Sequence, residues 1–251
     1  MSSPVIVITG ASGGVGRGIA LCCGRAGWTV WIAARREAEG TAVAQEVDRE
    51  GGQGRFVVCD ASDRASIEAS VAEVVARDGR LDGFVHNATS GLSPQPVRLA
   101  DVSVAALRDH AGVSVRGSFL AAQAAYPHLV ESHGSLLLLT SEAGFEGKVR
   151  LAPYAAVKAA QRGMVRALAR EWGPAGVRVN AIAPLAGSPA MDKALAADPE
   201  LGPRVFGRNP LGRVGDAVED IGTTVRFLLS QEARYVTGHT IPVDGGSCAV
   251  S

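Results

Sequence analysis

Tyr154 and Lys158 stand four residues apart, with Ser141 thirteen residues before the tyrosine. Side chains at i and i+4 share one helix face, so a phenol and an ammonium there reach the same ligand. A free phenol titrates at about 10, roughly three units above neutral pH. At about 1.36 kcal/mol per unit that gap is about 4 kcal/mol, and a neighbouring ammonium narrows it by stabilising the phenolate. Ser141 ends an apolar run, the place where open α/β sheets hold ligands, and its hydroxyl can hydrogen-bond a carbonyl. These side-chain types suit proton exchange with a carbonyl or an alcohol. Alone, Tyr-Ala-Ala-Val-Lys is an ordinary helix turn; a second segment changes its meaning.

That segment is Thr9-Gly10-Ala11-Ser12-Gly13-Gly14-Val15-Gly16. Gly10, Gly14 and Gly16 follow the apolar run Val5–Ile8 and open a helix bearing Ile19, Ala20, Cys22 and Cys23. Glycines there let the backbone turn sharply and approach a pyrophosphate, while the helix N-terminus offers free N–H groups and a favourable dipole. A glycine cluster alone also serves a tight turn; the strand before and the helix after favour a dinucleotide cradle around Ser12 and Val15. With the tyrosine, lysine and serine, the combination points to hydride transfer from a nicotinamide to a carbonyl, the protein supplying orientation and a proton. The second strand ends Ala33-Ala34-Arg35-Arg36, with no acid to hold a ribose 2′-hydroxyl. Guanidiniums suit a 2′-phosphate, so NADP(H) is expected over NAD(H), with Arg35 the favoured contact and Arg36 beside it. The alternative is that both arginines open a solvated helix. Asp60, ahead of Ala61, accepts from the adenine amino group or caps the next helix.

The surrounding pattern must position these groups. Apolar runs predict strands at Val5–Ile8, Thr29–Ala33, Arg55–Cys59, Leu81–His86, Gly134–Thr140, Val177–Ile182 and Thr240–Val243. Helices are predicted near 37–51, 63–78, 101–131, 152–173 and 216–229, the 63–78 helix capped by Ser62 or Asp63. This alternation predicts a single α/β domain over 1–251, a doubly wound parallel sheet of about seven strands flanked by helices. Residues 184–215 are rich in Gly and Pro and read as a substrate lid or as a surface excursion. Met191, Leu195, Phe206, Leu92 and Phe145 are the expected liners of an apolar pocket. Lys158, Arg162, Arg166 and Arg170 recur every four residues, a row that drifts off the catalytic face toward solvent or a second subunit. Glu142 meets a polar substrate or faces solvent.

With 25 basic and 25 acidic residues the net charge is zero, giving no electrostatic reason for nucleic acid or an anionic membrane as partner. Cys22, Cys23, Cys59 and Cys248 lack metal-ligand spacing, and the five histidines form no metal motif, so no metal is expected and the cysteines are expected reduced, in the cytoplasm. No signal peptide or transmembrane run is read at the N-terminus or elsewhere.

These segments, with Cys59-Asp60-Ala61-Ser62-Asp63, His86-Asn87-Ala88, Asn180-Ala181-Ile182-Ala183-Pro184, Pro210-Leu211-Gly212-Arg213 and the run Tyr235–Gly246, resemble the short-chain dehydrogenase/reductase family over essentially the whole chain. The 3-oxoacyl-carrier-protein reductase-like branch is the nearest in flavour. The resemblance implies a Rossmann fold, NAD(P)-dependent interconversion of a ketone and a secondary alcohol, and a homo-oligomer, tetramer or dimer. It makes Tyr154 the acid/base, Lys158 the group that lowers its pKa and binds ribose, and Ser141 the holder of the carbonyl. Asn87 and Pro184 fall in the cofactor site.

Three positions depart from the family pattern. Ser114 stands where the family usually has Asn, which helps hold a water linking the lysine to solvent, so a slower proton relay is expected. Thr89 replaces a usual glycine after Asn87-Ala88, and Leu185 replaces the glycine after Pro184. Gly187 follows two residues on, and Ser188 is expected to take over a carboxamide contact. Two rival readings stay open: a non-redox isomerase or dehydratase on the same scaffold, and a nucleotide-binding regulator with weakened catalysis.

Overall fold

A computed structural model describes residues 3–187, 191, 196, 198, 200, 202, 207 and 209–248. Its centre is a seven-stranded, wholly parallel sheet in the order β3-β2-β1-β4-β5-β6-β7. The strands are β1 (Val5–Thr9), β2 (Thr29–Ala34), β3 (Gln53–Val58), β4 (Gly83–His86), β5 (Ser135–Leu139), β6 (Arg178–Pro184) and β7 (Thr240–Val243). Every residue of β1, β2 and β5 is buried, as expected of strands covered by helices on both faces. Edge strand β3 instead leaves Val58 exposed.

Successive side chains point to opposite faces, so each strand feeds two cores. Val5, Val7, Trp31, Phe84, Leu136 and Leu138 fill one, against α3 (Arg64–Asp78), α5 (Gly117–Ser132) and α7 (Ala152–Trp172). Ile6, Ile8, Ile32, Val85 and Leu137 fill the other, against α1 (Gly14–Arg25), α2 (Glu37–Arg49) and α8 (Thr223–Leu229). Asp63, one of the two expected caps, accepts from the Ser66 backbone N–H at the start of α3.

The sequence predicts one helix over 101–131. The structure divides it into a 3-10 turn (Leu99–Asp101), α4 (Val104–His110), a π-helical stretch (Ala111–Arg116) and α5. A second π-helical stretch, Ala217–Gly222, precedes α8. The sequence reading also missed α6 (Ala143–Glu146), a single turn between β5 and α7. All four cysteines are buried with free thiols. Among the described residues no helix is long and apolar enough to cross a membrane.

Of the 184–215 stretch only the ends are largely described. Ala186 bridges Gly215 in parallel. Buried Asn209 donates to the Arg213 and Asp244 carbonyls, tying the far end to the chain after β7. Ser188, Leu195 and Phe206 lie outside the described residues.

Candidate active site

The loop from β1 to α1 shows why each glycine is needed. A Cβ on Gly10 would lie 2.9 Å from the Ala88 Cα, and one on Gly16 would lie 2.6 Å from Asn87 Nδ2. These two let the loop press against the end of β4. There Asn87 Nδ2 donates to the Thr9 and Gly10 carbonyls, and the Asn87 and Ala88 N–H groups donate to Thr9 Oγ1. Gly14 differs: its φ is +55° and nothing lies within 4 Å of where its Cβ would be. The N-terminus of α1 has no side-chain cap and no acid in its first turn. Open space before unsatisfied N–H groups fits a pyrophosphate, so these residues suit a dinucleotide.

Arg36, rather than the favoured Arg35, reaches this loop. Its Nη2 donates to Ser12 Oγ at 3.1 Å while its Nη1 pairs with Glu39. Arg35 is exposed and stands toward Asp60, where its charge adds to the Ser62 hydrogen bonds that hold that carboxyl below the usual carboxylate range. Asp60 accepts from the Ser62 N–H and hydroxyl, and Asp63 caps α3. The capping alternative for Asp60 is therefore excluded. Ala61 beside it is buried, its carbonyl 2.4 Å from where a Gly117 Cβ would sit. Pro184 ends β6, and Val15 packs on the core under α1.

Ser141 and Tyr154 meet at the C-terminal end of the sheet. Ser141 follows β5 and α7 begins at Ala152, so the serine lies beside the tyrosine in the first turn of that helix. Burial raises the phenol above its ordinary value, the neighbouring Ser141 side chain opposes this, and the Glu142 charge adds to the rise. Glu142 itself pairs with Lys148 at 2.9 Å.

Lys158 shares the face with Tyr154, and its ammonium hydrogen-bonds on the side of β5 and Gln161. It is 3% exposed, with Nζ 5.7 Å from the Tyr154 ring centroid. Nζ donates to the Leu139 carbonyl at 2.7 Å and to Gln161 Oε1 at 3.1 Å. Burial without a carboxylate partner lowers its pKa to about 7. The expected lowering of the tyrosine by the lysine is thus not seen: burial dominates at both groups, and it drives them in opposite senses.

Ser114 is fully buried in the π-helical stretch, and its hydroxyl has no partner among the described residues. It makes no hydrogen bond to Lys158 among the described residues. Gln161, missed in the sequence, lies between them. It occupies the core-facing stripe of α7 with Lys158 and Val165, and a lone amide on a buried stripe is the signal that could have revealed it. His86 is buried and neutral, its pKa lowered to about 4. Its Nε2 contacts the Val113 carbonyl, which can only accept, so that nitrogen carries the proton.

A cavity of about 150 Å³ adjoins Tyr154, lined among others by Leu92, Ala106, His110, Arg150 and Pro153. Leu92 is the expected liner that the structure places there. Phe145 lies instead beneath the Arg162 guanidinium, 3.4 Å from its ring centroid. Arg166 and Arg170 are exposed, as the drift of that row requires. A larger cavity of about 300 Å³ beside β7, between Leu185, Arg213 and Asp244, contains none of the serine, tyrosine and lysine.

A dinucleotide cradle and a serine–tyrosine pair at the C-terminal end of one parallel sheet define a nicotinamide-dependent oxidoreductase. The family described as enoyl-(acyl carrier protein) reductase matches residues 10–248. The chain is 35% identical to L-fucose dehydrogenase of Oryctolagus cuniculus, over 97% of this chain and 84% of the relative. It is 34% identical to the 3-oxoacyl-[acyl-carrier-protein] reductase FabG of Staphylococcus aureus, over 96% of each. The solved 3-ketoacyl-(acyl-carrier-protein) reductase of Brucella melitensis, complexed with NADH, superposes with a TM-score of 0.88 at 29% identity, covering 98% of each chain. The chain belongs to the short-chain dehydrogenase/reductase family.

Proposed function

We propose that this protein interconverts a ketone and a secondary alcohol with NADP(H), Tyr154 serving as the acid/base. The observation that carries the proposal is the juxtaposition of Ser141, just after β5, with the buried phenol of Tyr154 and with Lys158 one turn further along α7. When bound, the cofactor supplies or accepts the hydride. Ser141 holds the carbonyl oxygen, and Tyr154 gives that oxygen a proton in reduction and removes it in oxidation. Lys158, fixed on two neutral acceptors, is placed to meet the nicotinamide ribose and to stabilise the phenolate electrostatically. The Gly14 opening, Ser12 and the α1 N-terminus receive the pyrophosphate, and Asn87 braces the loop that forms it. Arg35 and Arg36, with no acid at 33–36, receive the 2′-phosphate.

The leucine, alanine and proline in the 150 Å³ cavity support a small-to-medium, largely apolar substrate. The lid read over 184–215 falls largely outside the described residues. Ala156, Ala159, Ala160 and Ala167 leave a small-residue surface exposed on α7, which supports close packing against a second copy. Neutral charge and reduced cysteines support a cytoplasmic location.

Two experiments test the reading. Tyr154→Phe should lower turnover in a carbonyl panel by about 10²–10⁴-fold, the usual worth of a general acid, and leave NADPH affinity unchanged. Retained turnover would overturn the mechanism. NADPH should bind more tightly than NADH, and Arg36→Ala, which removes the guanidinium that reaches Ser12, should remove most of the difference; equal affinities in the parent protein would refute the cofactor preference.

A further inference from the structure

We propose that Gln161 is a positioning residue of this active site, its amide oxygen holding the Lys158 ammonium in place and in its charged form. The inference rests on the reductase reading only for the purpose of the lysine, not for the contact itself.

The hydrogen bonds fix which way the amide points. A primary amide has two N–H donors and one acceptor oxygen, and an ammonium can only donate. Gln161 is 1% exposed, and its Oε1 accepts from Lys158 Nζ. Its Nε2 donates to the Ser114 carbonyl at 3.1 Å and to Ser118 Oγ at 2.7 Å. Ser118 Oγ donates in turn to the Ser114 carbonyl, so its lone pairs are free to accept. A flipped amide would set its NH2 against the ammonium and its oxygen against a carbonyl. The π-helical stretch supplies the anchor, since widening the helix at 111–116 turns the Ser114 carbonyl toward α7.

The contact matters because, among the described residues, only the Leu139 carbonyl shares the ammonium with it. His86 on β4 and His110 on α4 both feel the lysine charge, and burial pushes both toward the neutral form. Tyr154, on the lysine's own helix, is held protonated by burial. Among the described residues no carboxylate compensates the ammonium. Two neutral acceptors take two of its three protons, leaving the third for a ligand. Ser114 stands where an amide is expected from the resemblance, and its own hydroxyl is unpartnered. The amide is supplied from α7 instead, three residues beyond the lysine.

The chain has three lysines, Lys148, Lys158 and Lys193, so selective 13Cε labelling gives a spectrum in which each is resolved and Lys158 is assigned by Lys158→Met. The titration needs no substrate or cofactor. Removing the acceptor in Gln161→Met destabilises the charged form, and the Lys158 midpoint should fall by about one pH unit. Gln161→Glu places a carboxylate there, and the midpoint should rise by at least about one unit. In parallel, fluorescence titration of NADPH should show the affinity of Gln161→Met declining at lower pH than in the parent. Circular dichroism checks that each variant folds, and the glutamate variant serves if the methionine one does not. A Lys158 midpoint unmoved in a folded variant overturns the proposal, whatever the turnover. A moved midpoint with a fully active Tyr154→Phe protein would sustain it while the reductase mechanism fails.

Discussion

Replacing Lys158 with Met should change stability relative to the parent in a pH-dependent way, the variant losing ground steadily as pH rises from about 7 to about 9. The lysine titrates at about 7 in the folded protein because burial disfavours its charge, against about 10.4 in the unfolded chain. Between those values the unfolded chain binds more protons, so stability rises with pH across that window. Below pH 7 both states are protonated and the penalty is at its full size. Linkage puts that penalty at about 4 kcal/mol at pH 7 and about 2 kcal/mol at pH 9. Methionine leaves the Leu139 carbonyl and Gln161 Oε1 without their donor, which costs about 1–3 kcal/mol for each buried group left unsatisfied, at every pH. The absolute difference is therefore small, and the pH dependence carries the test. Melting temperatures of parent and variant, measured from pH 6.5 to 9.5, should converge or cross. A relative gain of about 2 kcal/mol for the parent between pH 7 and 9 corresponds to about 4–8 °C in a chain of this size. Parallel curves would show that the lysine is not carrying a buried charge and would refute the reasoning.

Two further substitutions separate the cofactor cradle from the scaffold. Gly14→Ala forces a side chain to a φ of +55° and puts a methyl in the open mouth of the loop. It should cost about 1–2 kcal/mol of stability, seen by urea denaturation, and weaken NADPH binding in the fluorescence titration. Asp63→Ala removes the N-cap of α3, far from the serine and tyrosine. It should cost about 1 kcal/mol in the same denaturation assay and leave cofactor affinity and turnover unchanged.

The sheet was legible because β1, β2 and β5 are covered on both faces and so appear as unbroken apolar runs, a signal independent of loop detail. Ser141, Tyr154 and the glycines were legible because spacing along a helix or a turn fixes them locally. What escaped depends on contacts between distant segments. The π-helical stretch at Ala111–Arg116 has no composition of its own, and a helix pattern runs straight through it. Gln161 gains its meaning from Ser114 and Ser118, 47 and 43 residues away. That the Arg36 guanidinium swings back to Ser12, 24 residues earlier, is a contact of the same kind. The sense of the Tyr154 shift turned on burial, which spacing does not encode.

The departures from the family pattern can then be weighed one by one. Leu185 needs no glycine, since its backbone is held by the Val243 carbonyl on one side and by Gly215 on the other without a positive φ. Thr89 is exposed, and nothing in the structure explains the residue chosen there. Ser114 lacks an amide, yet an amide from Gln161 occupies the space between that residue and the lysine. A chain losing its chemistry has no reason to keep an ammonium 3% exposed, at a cost of about 4 kcal/mol at neutral pH. An apolar residue at 158 with an apolar partner at 161 would remove that charge penalty. Retention of the charge, with two acceptors turned toward it, argues for a working site over a nucleotide-binding relic.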